Sequence, residues 1–306
     1  MKTKVRSRVR IKAKMIRNTA FLLCRGIRIG YISDVHTEVN HLKSLEYVGN
    51  RNCDVLVLAG DIGDPFAYNN SYKRFLEACT GIAKHTLVLA GNHEYYQRNR
   101  YSMAQTRTKI STLCTVIGTT NDSKPNYGTI RFMDNSVFTY NIPSSKHSIR
   151  FICSTLWSDI CREKENQIRN GINDYKCIMD FTPERSRELF KRSSDFINEN
   201  LASVPSKESR NTTDIVVTHH APTMIDVSNP KFADSPLSSA FSSDFKYDSD
   251  KRPPYAWIFG HTHHNVARYD RNLSTTLLSN QVGYPGEDCG LACVPDVEGK
   301  ELKQHG

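Results

Sequence analysis

Apolar residues gather in short runs at 27–33, 54–59, 86–90, 214–218 and 255–259, each no longer than seven residues, rich in Ile, Val and Leu and bounded by Gly or polar positions. Runs of this length and composition read as strands buried on both faces. They alternate with longer, helical-looking stretches, which is the pattern of an α/β fold. Between the third and fourth runs the pattern is less regular. Segments 129–132, 137–140 and 151–156 predict strands of a second sheet, with Trp157 and Asp159 at the end of the last. Residues 183–201 predict a helix: Thr182 can cap it, Pro183 fits its first turn, and Leu189, Phe190, Phe196, Ile197 and Leu201 supply an apolar face. Residues 203–213, rich in Ser, Lys, Asn and Thr, predict a surface loop.

Each of the five runs stops on side chains that bind metals: Asp34 and His36, Asp61, Asn92 with His93, His219 with His220, and His261 with His263. In open sheets of this kind, groups that follow different strands converge beyond the carboxyl ends, so residues far apart in sequence can share one pocket. Asp34 and His36, like His261 and His263, are two apart, which in extended backbone puts both side chains on one face. Gly60, Gly91 and Gly260 permit the turns and the close backbone approach of a crowded site.

Two carboxylates, one amide oxygen and four imidazoles are too many donors for one tetrahedral zinc and suit two cations sharing a ligand. Mixed oxygen and nitrogen donors favour zinc, iron or manganese over calcium. With Asp34 and Asp61 as the ionised ligands, a residual charge of about two plus would attract a phosphate and lower the pKa of a bound water toward ~7. Any one of these motifs alone is a chance event or an ordinary turn. His261 and His263, with His264 beside them, are harder to dismiss, and together the motifs point to one site.

Asp34-Val35-His36, Gly60-Asp61-Ile62-Gly63-Asp64, Gly91-Asn92-His93-Glu94, Thr218-His219-His220 and Gly260-His261-Thr262-His263 stand in the order that marks the calcineurin-like metallophosphoesterase family, which this chain resembles over about residues 27–295. The resemblance implies a four-layer αββα sandwich, two mixed β-sheets flanked by helices, with a dinuclear metal centre at the strand ends. It further implies that Asp34, His36, Asp61 and His263 hold one metal and that Asp61, Asn92, His219 and His261 hold the other, Asp61 bridging. His93 would protonate the leaving alkoxide or stabilise charge on the phosphoryl oxygens, and Asp64 would orient it. The implied activity is hydrolysis of a phosphate ester by a metal-bridging hydroxide, with two divalent ions (Mn, Fe or Zn) as cofactors. Both His219 and His220 lie near Pro222; the position directly after the strand favours His219. Glu94 reads equally as a catalytic group and as a helix-start carboxylate. Protein serine/threonine phosphatases of the family carry Val-Asp-Arg-Gly after the second-motif Asp. Here Ile62-Gly63-Asp64-Pro65 stands instead, which favours a small-molecule or nucleotide phosphodiester as substrate.

At 306 residues the chain is long enough for one large domain. The net charge of +9 looks like a nucleic-acid signature until it is located. Of 41 Lys and Arg, nine fall within residues 1–26, where there is no acid, leaving 32 against the 32 Asp and Glu of the rest. Residues 1–26 therefore read as a basic, disordered extension, 27–295 as the catalytic domain and 296–306 as a tail. The extension places Lys or Arg at every even position from 2 to 14, which is not a helical stripe. A nuclease drawn to DNA or RNA through this extension is one rival reading, and a non-catalytic scaffold of the same fold is another. Retention of every motif residue disfavours the scaffold. Nine cysteines without regular spacing fit a reducing, cytoplasmic setting better than a disulfide framework. No apolar run is long enough to span a membrane. Segment 228–254, tethered at both ends to motif strands, is placed to form the rim of the site, and 279–287 resembles the closing segment of small phosphoesterases of the family.

Overall fold

The computed structural model describes residues 20–40, 53–124, 126–203 and 211–290. Most of the basic extension, residues 204–210 of the expected surface loop and everything from 291 onward lie outside the described residues.

Two mixed sheets stack face to face. The first runs in the order β1 (Ala20–Cys24), β2 (Ile27–Ile32), β3 (Cys53–Ala59), β4 (Ala83–Leu89) and β5 (Thr129–Phe132), antiparallel between β1 and β2 and parallel thereafter. The second comprises β6 (Ser136–Asn141), β7 (Ser148–Ser154), β8 (Thr212–Thr218), β9 (Ala256–Phe259), β10 (Ala267–Asp270) and β11 (Thr275–Ser279), ordered β10-β11-β9-β8-β7-β6. The helices are α1 (Thr37–Asn40), α2 (Ser71–Thr80), α3 (Met103–Asn121), α4 (Glu165–Gly171), α5 (Asp174–Cys177) and α6 (Pro183–Asn200).

Strand alternation assembles the layers. Along β3, Val55 and Val57 face the second sheet and join Phe151, Val217 and Ile258 in the central core, whereas Leu56 and Leu58 face outward onto Phe75 of α2 and Ile110 of α3. On the far side Ile152, Val216 and Trp257 pack on Ile197 of α6 and on Leu201. Past their first residues, from Ile29, Val55, Thr86, Thr213 and Ala256 onward, the central strands are buried at every position, which is why their sequences read as nearly continuous apolar runs. The Thr182 hydroxyl caps α6 by accepting from Arg185 N at 3.1 Å, as expected.

Two expectations are corrected. Segment 129–132 is a strand, but it completes the first sheet: α3 carries the chain back so that β5 lies parallel to β4, His85 opposite Thr129. Only the next two segments enter the second sheet. The sheet also begins upstream of residue 27, since Ala20–Cys24 pairs antiparallel with β2 through a turn in which Arg25 and Gly26 both have positive φ. Ala20, Leu22 and Cys24 of β1 are buried in the central core. Past β11, Gln281 bridges to Ser33, and Ser33 N donates to Asn280 O at 3.0 Å, so the closing segment is docked on the end of β2.

Candidate metal centre

The motif residues follow the carboxyl ends of five strands: Asp34 and His36 after β2, Asp61 after β3, Asn92 and His93 after β4, His219 after β8, and His261 and His263 after β9. Asp34, His36, Asp61, His261 and His263 all have φ between 47° and 70°, a left-handed conformation unfavourable for residues with a Cβ. Such strain persists only where surrounding structure imposes it, and it gathers at functional sites. A Cβ on Gly91 would lie 2.5 Å from His219 Nε2 and closer still to Asp61, so only glycine lets the third motif approach the others.

The donor atoms face one another in a way that requires positive charge. His36 Nδ1 lies 3.0 Å from Glu38 Oε1 and His263 Nδ1 lies 2.6 Å from Glu287 Oε2. A carboxylate only accepts, so each Nδ1 carries a hydrogen and each Nε2 presents a lone pair in the neutral ring. Those two Nε2 atoms are 3.2 Å apart, and His263 Nε2 is 3.4 Å from Asp34 Oδ1. The second group repeats the logic. His219 Nδ1 donates to Ala59 O at 2.9 Å, leaving Nε2 3.1 Å from Asn92 Oδ1 and 3.3 Å from Asp61 Oδ2. Asp174 fixes the Asn92 amide, accepting from its Nδ2 at 2.8 Å and turning Oδ1 inward. His261, buried, joins Asp61 and His219 with its ring 4.9 Å from that of His219. Acceptors aimed at acceptors fit cations, and the mixed imidazole, carboxylate and amide set fits divalent transition metals.

Without metal, protons must supply the charge. Burial opposes charge on His263, yet hydrogen bonds to Asp34 and Glu287 lift it to about 11; His219, likewise buried, is raised by Asp61 to about 9. His261 is pushed down to about 3 by burial and by charged His219.

His93 sits at the mouth of this cage. Its Nε2 is 3.1 Å from the Tyr284 hydroxyl, its ring stacks on Tyr96 at 4.1 Å, and its Nδ1 is 3.5 Å from Glu38 Oε1. The carboxylate beside His93 is therefore Glu38. Asp64, expected in that place, is turned to Gln97 Nε2 and to Phe66 N, both at 2.8 Å, because the loop after Gly63 bends it into an Asx-type turn. His219 and His220 part company as well: His219 Nε2 lies 3.3 Å from Asp61 Oδ2, whereas His220 Nδ1 pairs with Ser158 Oγ at 2.8 Å. Glu94 is a structural hub. Its buried carboxylate accepts from the backbone N–H groups of Asp61 (3.1 Å), Ile62 (2.8 Å), Gly63 (3.3 Å) and Gly91 (2.7 Å). Burial and Asp61 push its carboxyl up to about 8 against the pull of those donors.

A cavity of about 530 Å³ opens on Asp61, Asn92, His93, His261 and His263. Its wall includes the end of α4, Lys231, Phe232 and Phe241 of segment 228–254, Tyr284 and Glu287 of the closing segment, and Asp288 just past it. Of segment 228–254, expected at the rim, the part from Asn229 to Phe241 lines the cavity. Glu38, Tyr96, Asp174, Tyr284 and Glu287 escaped the sequence reading. Glu38 stands two residues past His36 and Tyr284 and Glu287 in the closing segment, so position could have flagged them; nothing local marks Asp174, which reaches the site from α5.

The layering and the clustered side chains at the strand ends together define a two-sheet α/β protein with candidate metal-ligand groups at one edge. The chain belongs to the calcineurin-like phosphoesterase family, whose sequence model matches residues 27–265. It is 29% identical over 276 residues to uncharacterized protein L509 of Acanthamoeba polyphaga mimivirus, covering 84% of this chain and 91% of that one. Among solved structures, its fold is similar to that of phosphopantetheinyl hydrolase PptH from Mycobacterium tuberculosis, with a TM-score of 0.60 at 14% identity over 88% of this chain and 91% of that one. Among the described residues no helix is long and apolar enough to cross a membrane, and the described cysteines are free thiols.

Proposed function

We propose that this protein hydrolyses a small phosphodiester at a centre of two divalent cations, held by Asp34, His36, Asp61 and His263 on one side and by Asp61, Asn92, His219 and His261 on the other. The observation that carries this reading is the position of Asp61, whose Oδ2 lies 3.3 Å from His219 Nε2 and 4.0 Å from His36 Nε2, between the two donor groups. When bound, such ions supply Lewis acidity and activate water toward phosphorus. The side chains do the rest. His93, raised by Asp61 and Glu38 against its burial, holds a proton at the cavity mouth for the leaving oxygen. Tyr284 and Glu38 fix its ring from either side. Phe232, Phe241 and Tyr284 offer apolar surface to the rest of the substrate.

The lining also speaks for a small substrate over a nucleic acid. Against Asp174, Glu287 and Asp288 the described wall sets a single lysine, Lys231, whereas a groove for a polyanion carries a basic track. The name of PptH, a structural neighbour, speaks of hydrolysing a phosphopantetheinyl group, which is in keeping with a small phosphoester. The test is hydrolysis of bis(4-nitrophenyl) phosphate and 4-nitrophenyl phosphate with added manganese or zinc. Asp61→Ala should lose metal and turnover together. His93→Ala should keep metal and lose turnover by about 10²- to 10⁴-fold. Wild-type rates in both variants would refute the site.

A further inference from the structure

The two donor groups are backed by different chemistry. In the group of Asp34, His36 and His263, both imidazoles rest their Nδ1 on carboxylates, Glu38 Oε1 at 3.0 Å and Glu287 Oε2 at 2.6 Å. In the group of Asp61, Asn92, His219 and His261, the imidazoles meet neutral peptide carbonyls instead. His219 Nδ1 lies 2.9 Å from Ala59 O, and His261 Nε2 lies 3.4 Å from Ala240 O. Two acids stand on that side and neither meets a ring nitrogen: Asp174 is one residue removed, behind the Asn92 amide, and Glu94 is bonded to the backbone N–H groups of Asp61 and Gly91.

A carboxylate behind an imidazole fixes its tautomer, makes the inward nitrogen more basic and adds a negative charge on the far side of the ring, hydrogen-bonded to Nδ1. Glu38 supplies that charge from a position 26% exposed and Glu287 from one 39% exposed, each in direct contact with a ring whose other nitrogen points into the cage. Asp61 contributes to both groups and cancels from the comparison. What remains is Asp34 with two backing carboxylates on one side, and an amide with two carbonyl-backed imidazoles on the other.

We infer that Glu38 and Glu287 are positioning residues that make the Asp34, His36 and His263 side the tighter of two unequal cation sites, so that this side fills first and empties last. The inference rests on the two-cation reading given above. It also assigns a task to the closing segment: Glu287 and Tyr284 lie three residues apart on it, and Tyr284 N donates to Glu287 Oε2 at 2.9 Å. One loop therefore backs a ligand and walls the cavity.

The experiment is a calorimetric titration of the full-length, chelator-stripped protein with Mn²⁺. Wild type should bind two ions in resolved steps at least about tenfold apart. Glu287→Gln, which keeps an acceptor oxygen and removes the charge, should weaken the tighter step by about 10- to 100-fold and leave the weaker one unchanged. Glu38→Gln should act alike, and Asp174→Asn should weaken only the looser step. Near-ultraviolet circular dichroism of each stripped variant checks that the fold is retained. Two ions bound with equal affinity, or equal weakening of both steps by Glu287→Gln, would overturn the inference. A Glu287→Gln variant that binds like wild type would do the same. Absence of any Mn²⁺ binding would remove the two-cation reading along with it, whereas two unequal ions bound without diester hydrolysis would leave the inference standing and sink the proposed activity alone.

Discussion

Glu94 accepts from Ile62 N at 2.8 Å and so ties the loop bearing Asp61 to the turn bearing Asn92. With its further bonds to Asp61, Gly63 and Gly91, one buried side chain satisfies four backbone donors that secondary structure leaves unpaired. Glu94→Ala would orphan them in a buried site, where each unsatisfied group costs about 1–3 kcal/mol. A loss of at least ~3 kcal/mol is expected in urea denaturation of the metal-free protein. A change below ~1 kcal/mol would show that water replaces the carboxylate at little cost.

The raised histidines make the stability of the metal-free protein depend on pH. His219 at about 9 and His263 at about 11 lie above the 6.5 of a free imidazole, so the folded state binds more protons than the unfolded one. Their contribution is complete below about 6.5 and is lost as pH rises through 9 toward 11. Scanning calorimetry in chelator should therefore show Tm falling from pH 6.5 to 9.5. Saturating Mn²⁺, which replaces the protons, should raise Tm and flatten this slope.

Removal of residues 1–19 and removal of residues 1–26 should differ in their consequences for the fold. The shorter deletion leaves β1 intact. The longer one strips Leu22 and Cys24 from the central core and uncovers the edge of β2, at a cost of several kcal/mol by the usual scale of buried side chains. The same pair of deletions tests the basic extension: if it docks on nucleic acid, the shorter deletion abolishes salt-dependent binding in a fluorescence anisotropy assay and leaves hydrolysis of a small diester unchanged.

At the rim, Phe232 lines the cavity with half its surface exposed, and Lys231 Nζ lies 4.7 Å from its ring centre. Phe232→Ala should raise KM for aryl diesters by about tenfold, the worth of one apolar contact, with kcat little altered. Equal KM values for aryl and methyl diesters in wild type and variant would take this wall out of substrate binding.

The sequence alone determined the α/β class, the strands that carry the site and the residues that end them. A strand buried on both faces is mostly apolar, so where it ends is legible, and metal-binding side chains recurring just past five such ends stand out together where any one alone would read as a turn. Asp34, Asp61, His219 and His263 were therefore visible without coordinates. The partition of strands between sheets was not: 129–132 reads the same whether it pairs with β4 or with β6, and the crossover through α3 decides. Nor could sequence show which carboxylate backs which imidazole. The family resemblance pointed to Asp64 beside His93, whereas Glu38 stands there and the turn after Gly63 directs Asp64 to Gln97. Glu287 and Asp174 come from segments with no periodic signal and reach the site only through docking of the closing segment and of α5. Hydrogen bonds that orient a site are directional and depend on angles between elements, and those angles are set by packing across the whole domain.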